Sequence, residues 1–278
     1  MLKTATLEPE LEELEPIKRL SRDLKQGMGL LTPHAVRYLV DYYYQMQRDR
    51  IRANAQILSG LPNQEPHGVL RWLGDNTASL EAQIKAGLDA YSMTSPLGRW
   101  CRSITGIGPV LAAGLIAHID ITQAPTVGHI WRFAGLDPTM KWNKATKRPW
   151  NSRLKTICWK IGESFIKVKG NEKDIYGKLI EERRAYEDAK NDAGDYKEVA
   201  LERAEKVGKD TEAYKSYSVG RLPKGHLYMR SKRWGVKLFL AHYHEVAFEC
   251  QYGTKPPKPY VMSVLGHGHE IKVPNWPM

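Results

Sequence analysis

Between Ser103 and Ala113 the chain reads Ser-Ile-Thr-Gly-Ile-Gly-Pro-Val-Leu-Ala-Ala. Two glycines flank one isoleucine, and a proline then opens a run of small apolar residues. Glycine tolerates positive φ and lets a backbone approach its neighbours closely. Proline is well placed in the first turn of a helix, where its missing N–H costs nothing. The stretch therefore predicts helix, tight Gly106-Ile107-Gly108 bend, helix, with Ile107 as a plug between the two. The amides of Gly108, Val110 and Leu111 would face outward from a helix N-terminus, a geometry that suits a phosphate. This is the helix-hairpin-helix pattern. The competing reading is a connecting turn with no ligand, so the surrounding charge has to decide.

That charge is lopsided. The net +11 of the chain is held by its later part. Residues 1–95 carry 11 Lys/Arg against 12 Asp/Glu, and residues 96–278 carry 31 against 19, a net of −1 and +12. A basic region containing the bend is the electrostatic footprint of a polyanionic partner. No apolar run is long enough to cross a membrane. The first residues carry Glu8, Glu10, Glu12, Glu13 and Glu15 in place of a leader pattern. Cys101, Cys158 and Cys250 are widely spaced with no C-x-x-C, which fits a reducing cytoplasm and argues against a zinc ribbon.

Helical periodicity runs through most of the chain, so an all-α fold is expected. Residues 1–29 read as an acidic arm, with a short helix near Ile17–Leu24. Thr32-Pro33 is a helix start. Val36, Leu39, Tyr43, Met46, Ala53 and Ile57 then form a stripe interrupted by Arg50, and Gly60-Leu61-Pro62 ends it. A second stripe follows through Leu70, Leu73, Leu80, Ile84, Leu88 and Tyr91. Residues 30–95 are thus a helical hairpin, either an ordinary intramolecular pair or a coiled-coil arm for a homodimer through 33–91. Residues 96–170 hold the bend, a short helix from Val127 capped by Thr126, a loop from Thr139 to Trp150, and a helix from Asn151 to Gly170.

Within 141–169 nine cations, among them Lys141, Lys144, Lys147, Arg148, Arg153 and Lys155, face only Glu163, and Trp142, Trp150 and Trp159 are interleaved. Cations supply phosphate contacts and exposed indoles stack on unpaired bases. Trp159, on a helix, is expected in the core; for Trp142 and Trp150 both readings stay open. Residues 171–212 carry 13 acids and nine cations with few large apolar side chains. They predict solvated helices broken at Gly194, a spacer or protruding arm, supported by pairs such as Asp174–Lys178 and Glu202–Lys206. A second basic stretch holds Arg230, Lys232 and Arg233, with no acid between Ala213 and His244, and leads a helix to about Tyr252. Residues 254–278 form a proline-rich tail.

The run Ile104 to Asp120, together with Phe133-Ala134-Gly135-Leu136-Asp137-Pro138 and Asn151-Ser152-Arg153-Leu154-Lys155, resembles the C-terminal transposase domain of the IS one-ten family. Those are DEDD insertion-sequence transposases that act as bridge-RNA-guided recombinases. The stretch from Leu31 to Ile57 is similar to the coiled-coil linker that precedes that domain. The resemblance implies DNA, and with it a structured RNA, as partners. Two departures limit it. The family's RuvC-like nuclease domain, with four acidic ligands on strands, has no counterpart in the helical first 95 residues. The family's nucleophilic serine lies in the basic loop, and Thr139 to Trp150 contains none. Ser152 and Ser164 lie beyond it, and no catalytic role is carried to any residue.

Glycosylase chemistry lacks its aspartate, because the relevant helix start reads Thr126-Val127-Gly128-His129 and Val110 replaces the lysine after Gly-x-Gly. His267 and His269 could bind a metal on one side of a strand, with His242 and His244 adding ligands if the tail folds back, but two close histidines do not make a full ligand set, so neither metal nor cofactor is expected. No Walker loop or dinucleotide fingerprint is present. The leading expectation is a non-catalytic protein that grips nucleic-acid backbone through Gly106, Ile107, Gly108, Val110 and Leu111 and through the two basic stretches. The alternatives are a recombinase subunit that needs a nuclease domain in trans, and a protein- or RNA-binding adaptor or inhibitor.

Overall fold

The computed structural model describes residues 17–59, 68–257 and 271–277. They are helical, with no strand among the described residues. The chain divides into two compact units. One comprises residues 1–99 and 108–118, the other residues 100–107 and 119–278, so the division runs through the Gly106–Gly108 bend.

In the first unit, α1 (Arg22–Gly27) is capped by the Ser21 hydroxyl. It is followed by α2 (Pro33–Leu58), whose N-cap Thr32 hydroxyl accepts the Ala35 amide at 3.3 Å. The next helix, α3 (Gly68–Met93), packs along α2. The two stripes meet through Val36, Val40, Tyr43 and Met46 on α2 and Ile84, Leu88 and Tyr91 on α3, all buried. Arg50, which interrupts the α2 stripe, donates from Nε to the buried Glu81 carboxylate of α3 at 2.6 Å. An ion pair therefore fills the gap in the stripe. Leu73 is 47% exposed, so the α3 stripe is covered only over its C-terminal half. The two helices of the hairpin pack on each other within this chain. The bend enters α5 (Pro109–His118), apolar on every face and buried at all but one residue; within this unit it packs on both α2 and α3. A helix with no polar side has to be buried.

The second unit is built on α7 (Ser152–Val168), α8 (Tyr176–Asp192) and α11 (Lys224–Tyr252). Around them are α6 (Val127–Phe133), α9 (Lys197–Ala204) and α10 (Glu212–Ser218). The intervening α4 (Pro96–Ser103) feeds the bend from the other side. Phe165, Tyr176 and Phe239 pack ring on ring with centroids 4.8–5.5 Å apart, and Trp100 stacks on Phe239 at 5.8 Å. Leu154, Ile157 and Ile161 extend the α7 side of this core.

Two expectations change here. The charged segment after Gly170 is not a protruding arm, because α8 lies against α11 with Tyr176 and Ile180 fully buried. The approach is close at Gly235, where an added Cβ would stand 2.3 Å from Ile180 Cγ1. Asp174 does not serve mainly as an ion-pair partner: it is buried and accepts the Gly177 and Lys178 amides at 3.1 and 2.9 Å, while the Lys178 ammonium donates to the Glu172 carbonyl. The Glu202–Lys206 pair forms as expected. Gly194 does break the helix, with φ +86°.

His242 and His244 are satisfied core histidines. His242 sits between the Tyr176 hydroxyl, 2.6 Å from its Nδ1, and the Ile271 carbonyl, 2.9 Å from its Nε2. A carbonyl only accepts, so Nε2 carries a proton; burial lowers the imidazole pKa and favours the neutral ring, in which Nδ1 takes the tyrosine hydrogen. His244 Nε2 likewise meets the Ala124 carbonyl at 2.8 Å. Burial holds both imidazoles below their ordinary pKa. His267, His269 and the N-terminal glutamates lie outside the described residues.

Candidate nucleic-acid interface

The bend forms as the Gly-Ile-Gly spacing predicts. Gly106 takes φ +96°, and the Ile107 amide donates to the Ile104 carbonyl at 2.9 Å. In the second unit this segment is pinned from the carbonyl side. Ser164 donates to the Gly106 carbonyl at 2.6 Å, Arg102 to the Ile107 carbonyl at 2.8 Å, and Thr105 to the Lys173 carbonyl at 3.1 Å. A Cβ on Gly106 would stand 3.0 Å from the Phe165 ring, so positive φ and close approach both require glycine. Ile107 is 2% exposed. The Val110 and Leu111 side chains of α5 are buried too, while the amides of Gly108, Val110 and Leu111 have no acceptor among the described residues.

The loop after α6 is held by its own side chains. Asp137 Oδ1 accepts the Thr139 amide and hydroxyl, Asn143 Oδ1 accepts the Ala145 amide, and Trp142 Nε1 donates to the Thr146 carbonyl at 2.8 Å. Asn151 caps α7 by accepting the Arg153 and Leu154 amides, each at 3.0 Å. Gly135 takes φ +65°, and Trp150 lies on it: a Cβ there would be 2.8 Å from the indole. The Gly135-Leu136 corner thus seats a tryptophan.

Loop and helix enclose an open cleft of about 580 Å³ lined by Trp142, Trp150, Trp159, Arg148, Arg153 and Lys155, with Ser152 and Thr156 on its floor. Trp142 and Trp150 meet edge to face at 5.9 Å. The Arg148 guanidinium lies 5.1 Å from the Trp142 ring centre, and Lys155 Nζ 4.3 Å from that of Trp150. Trp159, expected in the core, is 51% exposed. The signal was in the spacing: Ser152, Lys155, Thr156 and Trp159 fall at i, i+3, i+4 and i+7, one face of α7 turned away from Leu154, Ile157 and Ile161.

The cations of this cleft press on one another. Desolvation, then the charges of Arg148 and Arg233, hold the Lys155 ammonium below its ordinary pKa. Arg233 of α11 is itself lowered by burial and by Arg230 and Arg203. Among the described residues no carboxylate stands within ion-pair distance of Arg148, Lys155 or Arg233. Lys141, Lys144 and Lys147 are exposed on the same loop.

The neighbouring cations behave differently. Lys232 is buried and paired with Glu163. Arg230 donates to Glu187 at 2.9 Å. Glu187 is 2% exposed and also receives Arg183 and the Tyr196 hydroxyl, the latter at 2.6 Å. Burial pushes its carboxyl up, but the hydrogen bonds from Tyr196, Arg230 and Arg183 outweigh this and leave it below its ordinary value. The Ser164 hydroxyl is engaged with the bend and Ser152 lines the cleft.

Residues 99–158 match the model of the family described as Transposase IS116/IS110/IS902 family. No curated protein and no solved structure matches the chain. No described helix is long and apolar enough to cross a membrane. The matched segment contains the bend, α6, the loop and the first turns of α7, and so every wall of the cleft except Trp159; this part of the chain is related to insertion-sequence transposases.

Proposed function

We propose that the chain is a non-catalytic DNA-binding protein that holds the sugar-phosphate backbone on the cations of the 141–155 segment and Arg233. The observation that carries this reading is that Arg148, Lys155 and Arg233 have no carboxylate within ion-pair distance among the described residues, the first two on a segment related to transposases. Folding tolerates mutual repulsion of this kind where a polyanion relieves it. The unpaired amides of Gly108, Val110 and Leu111 are a second backbone anchor in this reading. Contacts of these kinds position a duplex and carry little sequence information.

The test is affinity against salt. About four phosphate contacts give a slope near −3.6 in log K against log salt, so binding to a random-sequence duplex weakens about 100-fold between 50 and 200 mM salt. A flat dependence removes the proposal. The family match favours a second reading, a recombinase subunit completed by a nuclease domain on another chain. Strand transfer that appears only when such a partner is added would replace the first reading with this one. Selective binding of structured RNA would point to the adaptor alternative.

A further inference from the structure

A duplex phosphate grip explains the cations of the cleft but not its indoles. Trp159 leaves half its surface in water on the outer face of α7, beside two other tryptophans. An aliphatic ligand would use the indoles and leave the charge unanswered. A free phosphate would use the charge and leave the indoles unused. Stacked bases in a duplex show only their edges in the grooves. A ligand that offers a flat aromatic face and an anion a few ångströms apart is a nucleotide taken out of the stack, and base–indole stacking is the way single strands are held without sequence preference.

We infer that the cleft takes an unpaired nucleotide of a DNA strand, its base against Trp142 and Trp159 and its phosphate on Arg148 and Lys155. The inference rests on the backbone-gripping reading and deepens it. Two of the walls are fixed in advance, Trp142 by its hydrogen bond to Thr146 and Trp150 by its seat on Gly135, so little side-chain freedom is lost on binding. The cleft volume falls within the roughly 300–1,000 Å³ usual for small-ligand sites. The repulsion around Lys155 falls when a phosphate arrives. The chain would therefore favour DNA with a melted, flipped or single-stranded position over an uninterrupted duplex.

The experiment is fluorescence anisotropy with a labelled oligothymidylate of about a dozen nucleotides and with a blunt duplex of equal length, both at low salt. Trp159→Ala should weaken the oligothymidylate about 5- to 100-fold and change duplex affinity less than about 2-fold, and Trp142→Ala, which also frees the loop, should weaken the oligothymidylate more than the duplex. Trp159→Phe, which keeps a stacking face, should retain most of the single-strand affinity. Circular dichroism melts check folding, and the half-exposed Trp159 supplies a variant that does not disturb the loop. Tryptophan variants that weaken both ligands alike, or neither, overturn the inference while leaving the backbone grip standing. Tighter binding of an oligoribonucleotide than of oligothymidylate overturns its assignment to DNA. A wild-type chain that binds neither DNA removes both readings.

Discussion

Two groups of cations in the same helical unit look alike in sequence and differ in whether the fold neutralises them. Around Glu187, the guanidinium groups of Arg183 and Arg230 converge on one buried carboxylate, and Tyr196 completes the set. Lys232, a short step along α11, is neutralised by Glu163. Around the tryptophan cleft, Arg148, Lys155 and Arg233 have no acid within ion-pair distance among the described residues. The first group ties α8, α11 and the α9 entry together; the second is the one proposed to meet an external anion. Local charge density therefore does not identify a binding surface. The proposed assignment rests instead on whether the fold supplies the counter-charge.

The sharpest way to break this contrast is Glu187→Ala. It leaves two guanidinium groups, each about a third exposed, without their shared buried carboxylate, and loss of such a charged hydrogen-bond partner costs about 3 kcal/mol. Chemical denaturation should show a loss of that size; a loss below about 1 kcal/mol would mean that the cluster is solvated. Gly135→Ala comes next. It forces a side chain into positive φ and against Trp150, at a cost of about 1–3 kcal/mol, and should weaken single-strand binding by displacing one wall of the cleft. Lys232→Met should cost about 1–3 kcal/mol of stability, because Glu163 loses its charged partner, yet leave DNA affinity within about 2-fold. A large affinity loss in that variant would place Lys232 with the second group rather than the first.

The smallest effect is on the acid side. His242 and His244 have folded pKa values below the unfolded value near 6.5. The unfolded chain therefore takes up their protons first, and stability falls as pH drops below about 6.5. Glu187, whose folded pKa is depressed, adds a second loss as pH falls further through the carboxylate range. Thermal melts from pH 7 down to pH 4 should decline in that order. His242→Gln should flatten part of the upper step.

The helices were legible because their signals are local. Thr32-Pro33 starts α2, Asn151 caps α7, Gly194 breaks the charged segment, and the Gly106-Ile107-Gly108 spacing forms its bend. The roles of the cations were not, because they depend on acids distant along the chain: Lys232 meets Glu163 and Arg230 meets Glu187 only after α11 packs on α7 and α8. The outward face of Trp159 lies between these cases. Its position relative to Ser152, Lys155 and Thr156 was readable from helical spacing, but a tryptophan on an amphipathic helix invites assignment to the core. The charged segment after Gly170 misled for the same reason in reverse, since Tyr176 and Ile180 are enough to bury one face of a helix that is otherwise polar.

The central claim is that the uncompensated cations hold a phosphate backbone. Its most direct test is the salt slope of DNA binding for the wild-type chain and for the double variant Arg148→Ala/Lys155→Ala. Each cation removed from a phosphate should make the slope shallower by about 1, so the double variant should lose about 2 while its folding stability changes by less than about 1 kcal/mol. An unchanged slope in a folded double variant would contradict the account.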